Sequence, residues 1–173
     1  GIYDQIFSSF GLKVAQCLMT YRDFEDATAK KNTENTILKL LEHDYTPIIN
    51  ENDTVAIEEI MLGDNDKLSA LVASIIHADL LVIASDIDGL YDQNPHLNAN
   101  AKLIEIVTDL QSAKPLIEER DSGLGTGGMT SKIHAAEICK EHQIEMWIVN
   151  GGHNNFIVNA LNGKISFTRF KLS

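Results

Sequence analysis

Five consecutive apolar residues, Leu80-Leu81-Val82-Ile83-Ala84, run directly into Ser85-Asp86-Ile87-Asp88-Gly89. Successive side chains of a strand point to opposite faces, so an unbroken apolar run must be covered on both sides, as in a buried parallel strand. Met146-Trp147-Ile148-Val149 makes the same demand. Between these runs the apolar residues recur at helical spacing, as in Leu68, Leu71, Val72, Ile75 and Ile76. Strands alternating with helices imply an α/β domain built on a largely parallel sheet.

In chain order, the pattern predicts a helix from Gly1 with Ile2, Ile6, Phe7 and Phe10 in step, a strand over 13–20 and a charged connection over 26–31. A helix over 35–41, with Ile37, Leu40 and Leu41 on one face, leads to a strand over 46–49. After a helix over 66–77 and the strand at 80–84 come an edge strand over 102–107 and a helix over 110–118. A helix ending near His142, a strand over 146–149, a helix over 155–161 and a strand over 165–170 complete the reading. The start at Gly1-Ile2-Tyr3, in a helical pattern and without an initiator Met, leads us to expect a preceding segment in the parent protein.

Two knots of amides and carboxylates sit where such elements end. Pro47-Ile48-Ile49 delivers Asn50-Glu51-Asn52-Asp53, and Gly63-Asp64-Asn65-Asp66 opens the helix that follows. Carboxyl ends of parallel strands and amino ends of helices are where α/β proteins bind ligands. Solvated turns and an Asp N-cap would explain any one of these residues. Their density suits a zwitterionic amino acid, whose ammonium needs acceptors and whose carboxylate needs donors.

A formal net charge of -11 and a pI near 4.8 argue against nucleic acid or an anionic membrane as partner. An anionic substrate must therefore be met by local donors and a metal. Cys17 and Cys139 are the only cysteines, which excludes a disulfide framework and points to a cytoplasmic setting. No apolar run reaches the ~20 residues of a membrane-spanning helix. The six histidines, His43, His77, His96, His134, His142 and His153, show no metal-binding spacing and read as surface or helix-end residues.

The glycine-rich stretch Gly123-Leu124-Gly125-Thr126-Gly127-Gly128 satisfies GxGxxG, yet no strand leads into it and no acid follows the next strand for a ribose. It is not a Walker A loop either, because Met129 follows Gly128 and Lys132 arrives later. What remains is a loop whose backbone N–H groups approach an anion, at a helix start, with Lys132 as a mobile charge. Asp86-Ile87-Asp88-Gly89 alone would suit an aspartyl-phosphate phosphohydrolase, with Asp86 as nucleophile and Asp88 as acid. Leu90 stands where that motif wants a hydroxyl, and the Asp64-Asn65-Asp66 cluster lies upstream of it, where a metal-binding acid loop should lie downstream.

Together these segments resemble, in order and spacing, the glutamate 5-kinases of the amino-acid kinase superfamily. The resemblance implies a three-layer α/β/α sandwich with a mainly parallel central sheet. It implies an amino-acid kinase domain over 1–173, N-terminally incomplete, with 1–78 the rest of the amino-acid-binding half and 79–173 the nucleotide-binding half. On the matching motifs, Asn50, Asp53 and Asn65 would hold L-glutamate, and Asp66 would orient catalytic lysines. Ser85 and Asp86 would bind the nucleotide together with Gly125, Thr126, Gly127, Gly128, Met129, Thr130, Ser131 and Lys132, the last contacting phosphate. Ser131 stands where relatives carry Thr and keeps the hydroxyl. The family's opening strand with its lysine and glycine-serine loop, and the PUA domain of many bacterial members, have no counterpart within these residues.

The implied reaction is ATP-dependent phosphorylation of the glutamate side-chain carboxylate, with Mg²⁺ on the phosphates, in proline biosynthesis. Proline as feedback inhibitor and a homo-oligomer belong to the same implication. Aspartate, acetylglutamate and uridylate kinases are the nearer rivals. A non-catalytic amino-acid sensor would keep the two polar knots and lose the phosphate loop.

Overall fold

The computed structural model describes residues 1–52, 65–95, 97–118 and 127–171. They fall into two compact units, Gly1–Leu68 and Ser69–Ser173.

The first unit opens with α1 (Ile2–Ser8), β1 (Lys13–Met19) and the short α2 (Arg22–Glu25). Then come α3 (Ala27–Glu42) and β2 (Tyr45–Glu51), and β1 and β2 pair in parallel, Leu18 opposite Asn50 and Met19 opposite Glu51. The charged connection expected over 26–31 is mostly helix. Asp26 caps α3, its Oδ1 accepting from Ala29 N at 2.8 Å, and the polar residues behind it lie on a solvated face. The sequence pattern hid this start because Ile37 is the buried anchor of α3 and lies in its second half. Phe10 is not on the first helix; it lies in the turn after α1 and is exposed.

The second unit shows why the apolar runs are apolar throughout. Its elements, in chain order, are α4 (Asp66–Ile75), which begins just before the unit, β3 (Leu80–Ser85), β4 (Ile106–Val107) and α5 (Leu110–Glu118). They continue with α6 (Gly127–Glu141), β5 (Glu145–Asn150), α7 (Phe156–Leu161) and β6 (Thr168–Phe170). The sheet order is β3-β5-β6-β4, parallel except for the β5–β6 pair. From β5, Met146 and Ile148 enter a core with Ile83 of β3, Phe170 of β6, and Ala73, Ala113 and Ile133 of α4, α5 and α6. Trp147 and Val149 point to the other face, where Ala160 of α7, Phe167 and the partly buried Leu80 and Val82 meet them. The alternation thus places helices on both faces of a mainly parallel sheet. Each fully buried side chain here, such as Met146, Ile148 or Phe170, contributes about 1.5–3 kcal/mol.

Two expected strands are shorter than predicted. The edge strand expected over 102–107 is regular only at Ile106 and Val107, because its first half pairs with the loop after β3. There Asp92 N donates to Lys102 O (2.9 Å), Asp92 Oδ1 accepts from Lys102 N (2.8 Å), and Tyr91 bridges Leu103. The terminal strand begins at Thr168 rather than 165. Thr168 is fully buried and joins two segments: Oγ1 accepts from Leu90 N and donates to Ile104 O, both at 2.8 Å. Gly89, at φ +156°, lies against it; a Cβ there would stand 2.9 Å from Thr168 N and closer still to Oγ1.

Three helices end on non-glycine residues in the left-handed conformation. Asp44 (φ 60°) follows α3, His77 (φ 52°) follows α4 and Gln143 (φ 58°) follows α6.

Candidate functional site

In the first unit, Asn50 lies at the carboxyl end of β2 and Asn65 immediately before α4. The two amides meet, Asn65 Nδ2 donating to Asn50 Oδ1 at 3.0 Å, so one described residue of each polar knot touches the other. Asn52 N donates to Met19 O at 2.8 Å, which closes the end of β2 onto the end of β1. Asp66 opens α4, where a carboxylate is favoured by the helix's positive end. Lys67 Nζ stands 4.9 Å from the ring centre of Tyr21, itself buried. Asp53 lies outside the described residues.

In the second unit, Ser85 ends β3 and Asp86 follows it, exposed, with Ser85 Oγ donating to Asp86 Oδ1 at 3.2 Å. Gly125 and Thr126 lie outside the described residues; Gly127, Gly128, Met129, Thr130, Ser131 and Lys132 form the opening of α6. Met129 packs against the core and anchors that turn. Helical side chains lean towards the N-terminus, and Lys132 follows this rule. Its Nζ donates back to Gly128 O at 3.0 Å, so the ammonium lies in the first turn although the side chain is only 9% exposed. The helix start and the Lys132 ammonium together present positive charge of the kind that phosphate oxygens accept.

The described histidines, His43, His77, His134, His142 and His153, are all exposed; His96 lies outside the described residues. Cys139 is buried among apolar residues, which pushes its thiol up to about 11. It is a packing residue.

Asp88 and Asn150 went unpaired in the sequence reading. The Asp88 carboxylate accepts from Asn150 Nδ2 (3.0 Å) and Tyr91 OH (3.1 Å), with His153 Nε2 at 3.4 Å. The Asn150 amide is the main cause holding the Asp88 carboxyl below its usual range; partial burial opposes it, and Tyr91 and His153 assist. A pKa lower in the folded than in the unfolded chain gives stability that is complete above the unfolded value of about 3.9 and is lost as pH falls through the folded value. Below about pH 4, unfolding free energy is therefore expected to fall less steeply for Asp88→Asn than for wild type, as urea titrations at successive pH values would show. Superimposable curves would mean that the ionised form gains nothing from these donors.

A model described as the amino acid kinase family matches residues 1–150. The chain belongs to the amino acid kinase family. Glutamate 5-kinase of Clostridium acetobutylicum is 47% identical over 97% of this chain and 63% of its own length. The glutamate 5-kinases of Desulfitobacterium hafniense and Idiomarina loihiensis are 46% and 43% identical, over 89% and 99% of this chain but 42% and 46% of their own lengths. The chain thus spans less than two thirds of these family members. UMP kinase from Ureaplasma parvum superposes with a TM-score of 0.66 at 19% identity, over 98% of this chain and 65% of that structure. Isopentenyl phosphate kinase gives 0.62 at 17%, over 94% and 61%. At such identities the likeness is one of fold, and it agrees with the mainly parallel α/β family architecture. Among the described residues no helix is long and apolar enough to cross a membrane.

Proposed function

We propose that the complete gene product carrying this chain transfers the γ-phosphoryl group of MgATP to the side-chain carboxylate of L-glutamate, giving glutamyl 5-phosphate for proline biosynthesis. The observation that carries this reading is the Asn50–Asn65 contact, which joins residues from the two segments that resemble those of glutamate 5-kinases. Residues 1–78 would carry the acceptor side and residues 79–173 the nucleotide side. A carboxylate oxygen attacks the γ-phosphorus as the bond to the β–γ bridging oxygen breaks and ADP departs. No general base is needed, since a glutamate side chain with a pKa of about 4.3 is already ionised at neutral pH. Mg²⁺ would enter with ATP and supply charge stabilisation at the phosphates, and the exposed Asp86 would be available to hold it.

Within this reading Lys132 stabilises the transferring group, Asp66 has the family's role of orienting catalytic lysines, and Asp53 pairs with the α-ammonium of glutamate. A cytoplasmic setting, a homo-oligomer and inhibition by proline accompany the proposal, supported by the resemblance to glutamate 5-kinases. The test is a coupled ADP assay of the complete gene product with MgATP and a panel of L-glutamate, L-aspartate and N-acetyl-L-glutamate. Activity on glutamate alone is expected. Asp53→Ala is expected to raise the KM for glutamate at least tenfold, from loss of a charged partner contributing about 2–5 kcal/mol, with the KM for ATP little changed. Preference for aspartate or acetylglutamate would assign a different member of the family.

A further inference from the structure

We infer that Asp88 and Asn150 are positioning residues: together they staple the carboxyl end of β3 to that of β5 and so fix where Ser85 and Asp86 meet the nucleotide. The inference rests on the nucleotide reading given above. Its basis is the way the segment around Asp86 is pinned from both sides. Upstream, Ser85 O accepts from Gly151 N at 2.8 Å. Downstream, Asp88 Oδ1 accepts from Asn150 Nδ2 at 3.0 Å. Asp86 lies midway between these points, exposed, so its direction is set by two anchors on one neighbouring strand end. Asn150 is itself held, its Oδ1 accepting from Gly152 N at 2.9 Å, and a side chain with both ends occupied acts as a rigid strut. The close approach of strand ends is demanded at Gly151, where a Cβ would lie 3.2 Å from Ala84 Cβ. His153 and Tyr91 complete the shell around Asp88, which leaves its carboxylate with donors from both loops. An acid so engaged orients its loop. A phosphohydrolase reading would require this same group to exchange protons with substrate.

The chemistry of the pair provides its own control. Asn150→Asp places two carboxylates face to face and should open the staple, whereas Asp88→Asn combined with Asn150→Asp restores a donor–acceptor pair of reversed sense. In the complete gene product, calorimetric titration with MgADP is expected to show affinity at least ~10-fold weaker for Asn150→Asp and within about threefold of wild type for the double variant. In turnover, the KM for ATP should follow the same pattern, while the KM for glutamate and kcat at saturating ATP stay within about threefold. Thermal melts of all three proteins accompany the titrations. If Asn150→Asp does not fold, Asp88→Ala, which removes the acceptor without opposing charges, takes its place with the same weakening expected. Unchanged affinity in the single variant, or weak affinity in a folded double variant, would overturn the staple. Absence of MgADP binding by wild type would instead overturn the nucleotide reading on which it depends.

Discussion

Lys132→Met in the complete gene product is expected to lower kcat for glutamyl phosphate formation by about 10²–10³-fold, with a much smaller change in nucleotide affinity. Methionine keeps the unbranched apolar stem, which matters because this side chain is largely buried. What it removes is the ammonium at the first turn of α6, where Nζ now donates to Gly128 O. As the γ-phosphoryl group moves from ADP to the acceptor, negative charge spreads over oxygens that a lysine follows more readily than fixed N–H groups do. The effect therefore belongs to the transition state more than to ground-state binding. Circular dichroism should be unchanged, and single-turnover kinetics should place the loss in the chemical step. Equal turnover in mutant and wild type would remove Lys132 from the reaction.

Gly89→Ala is expected to cost about 4 kcal/mol of stability, large for a single added methyl group. Two effects combine at this position. A backbone at φ +156° is strained for an L side chain by about 1–3 kcal/mol, and the new Cβ overlaps Thr168, whose own atoms have nowhere to go. Thr168 is fully buried and its hydroxyl serves both Leu90 N and Ile104 O, so any shift also opens two buried hydrogen bonds. Urea denaturation should show the midpoint fall with little change in slope. A loss under about 1 kcal/mol would mean that the loop after β3 can reposition freely.

The fold was legible wherever one residue's neighbours decide its state. Leu80-Leu81-Val82-Ile83-Ala84 and Met146-Trp147-Ile148-Val149 are apolar without interruption because both sheet faces carry helices, and a local run records that directly. The first half of α3 was illegible from periodicity, since its polar residues face solvent, although Asp26 already marked its start. Of the candidate site, the knots at Asn50 and Asn65 announced themselves as polar clusters at element ends. Their mutual hydrogen bond spans only the connection between one strand and the next helix. Asp88 and Asn150 are 62 positions apart and Thr168 is 78 from Leu90. Such pairings depend on which strands become neighbours, and the order β3-β5-β6-β4 is not written in any local pattern.

The left-handed residues that close α3, α4 and α6 bear on how this protein tolerates change. Asp44, His77 and Gln143 each hold a conformation about 1–2 kcal/mol above that of a right-handed residue, a strain that glycine does not feel. Part of that advantage is returned through the greater freedom of glycine in the unfolded chain, leaving roughly 0.5–1 kcal/mol per position. Stability is thus forgone at three helix ends that lie outside the site segments. Lineages that acquire glycine there gain a reserve on which costly substitutions around the loops can be explored, and those that do not are confined to gentler steps.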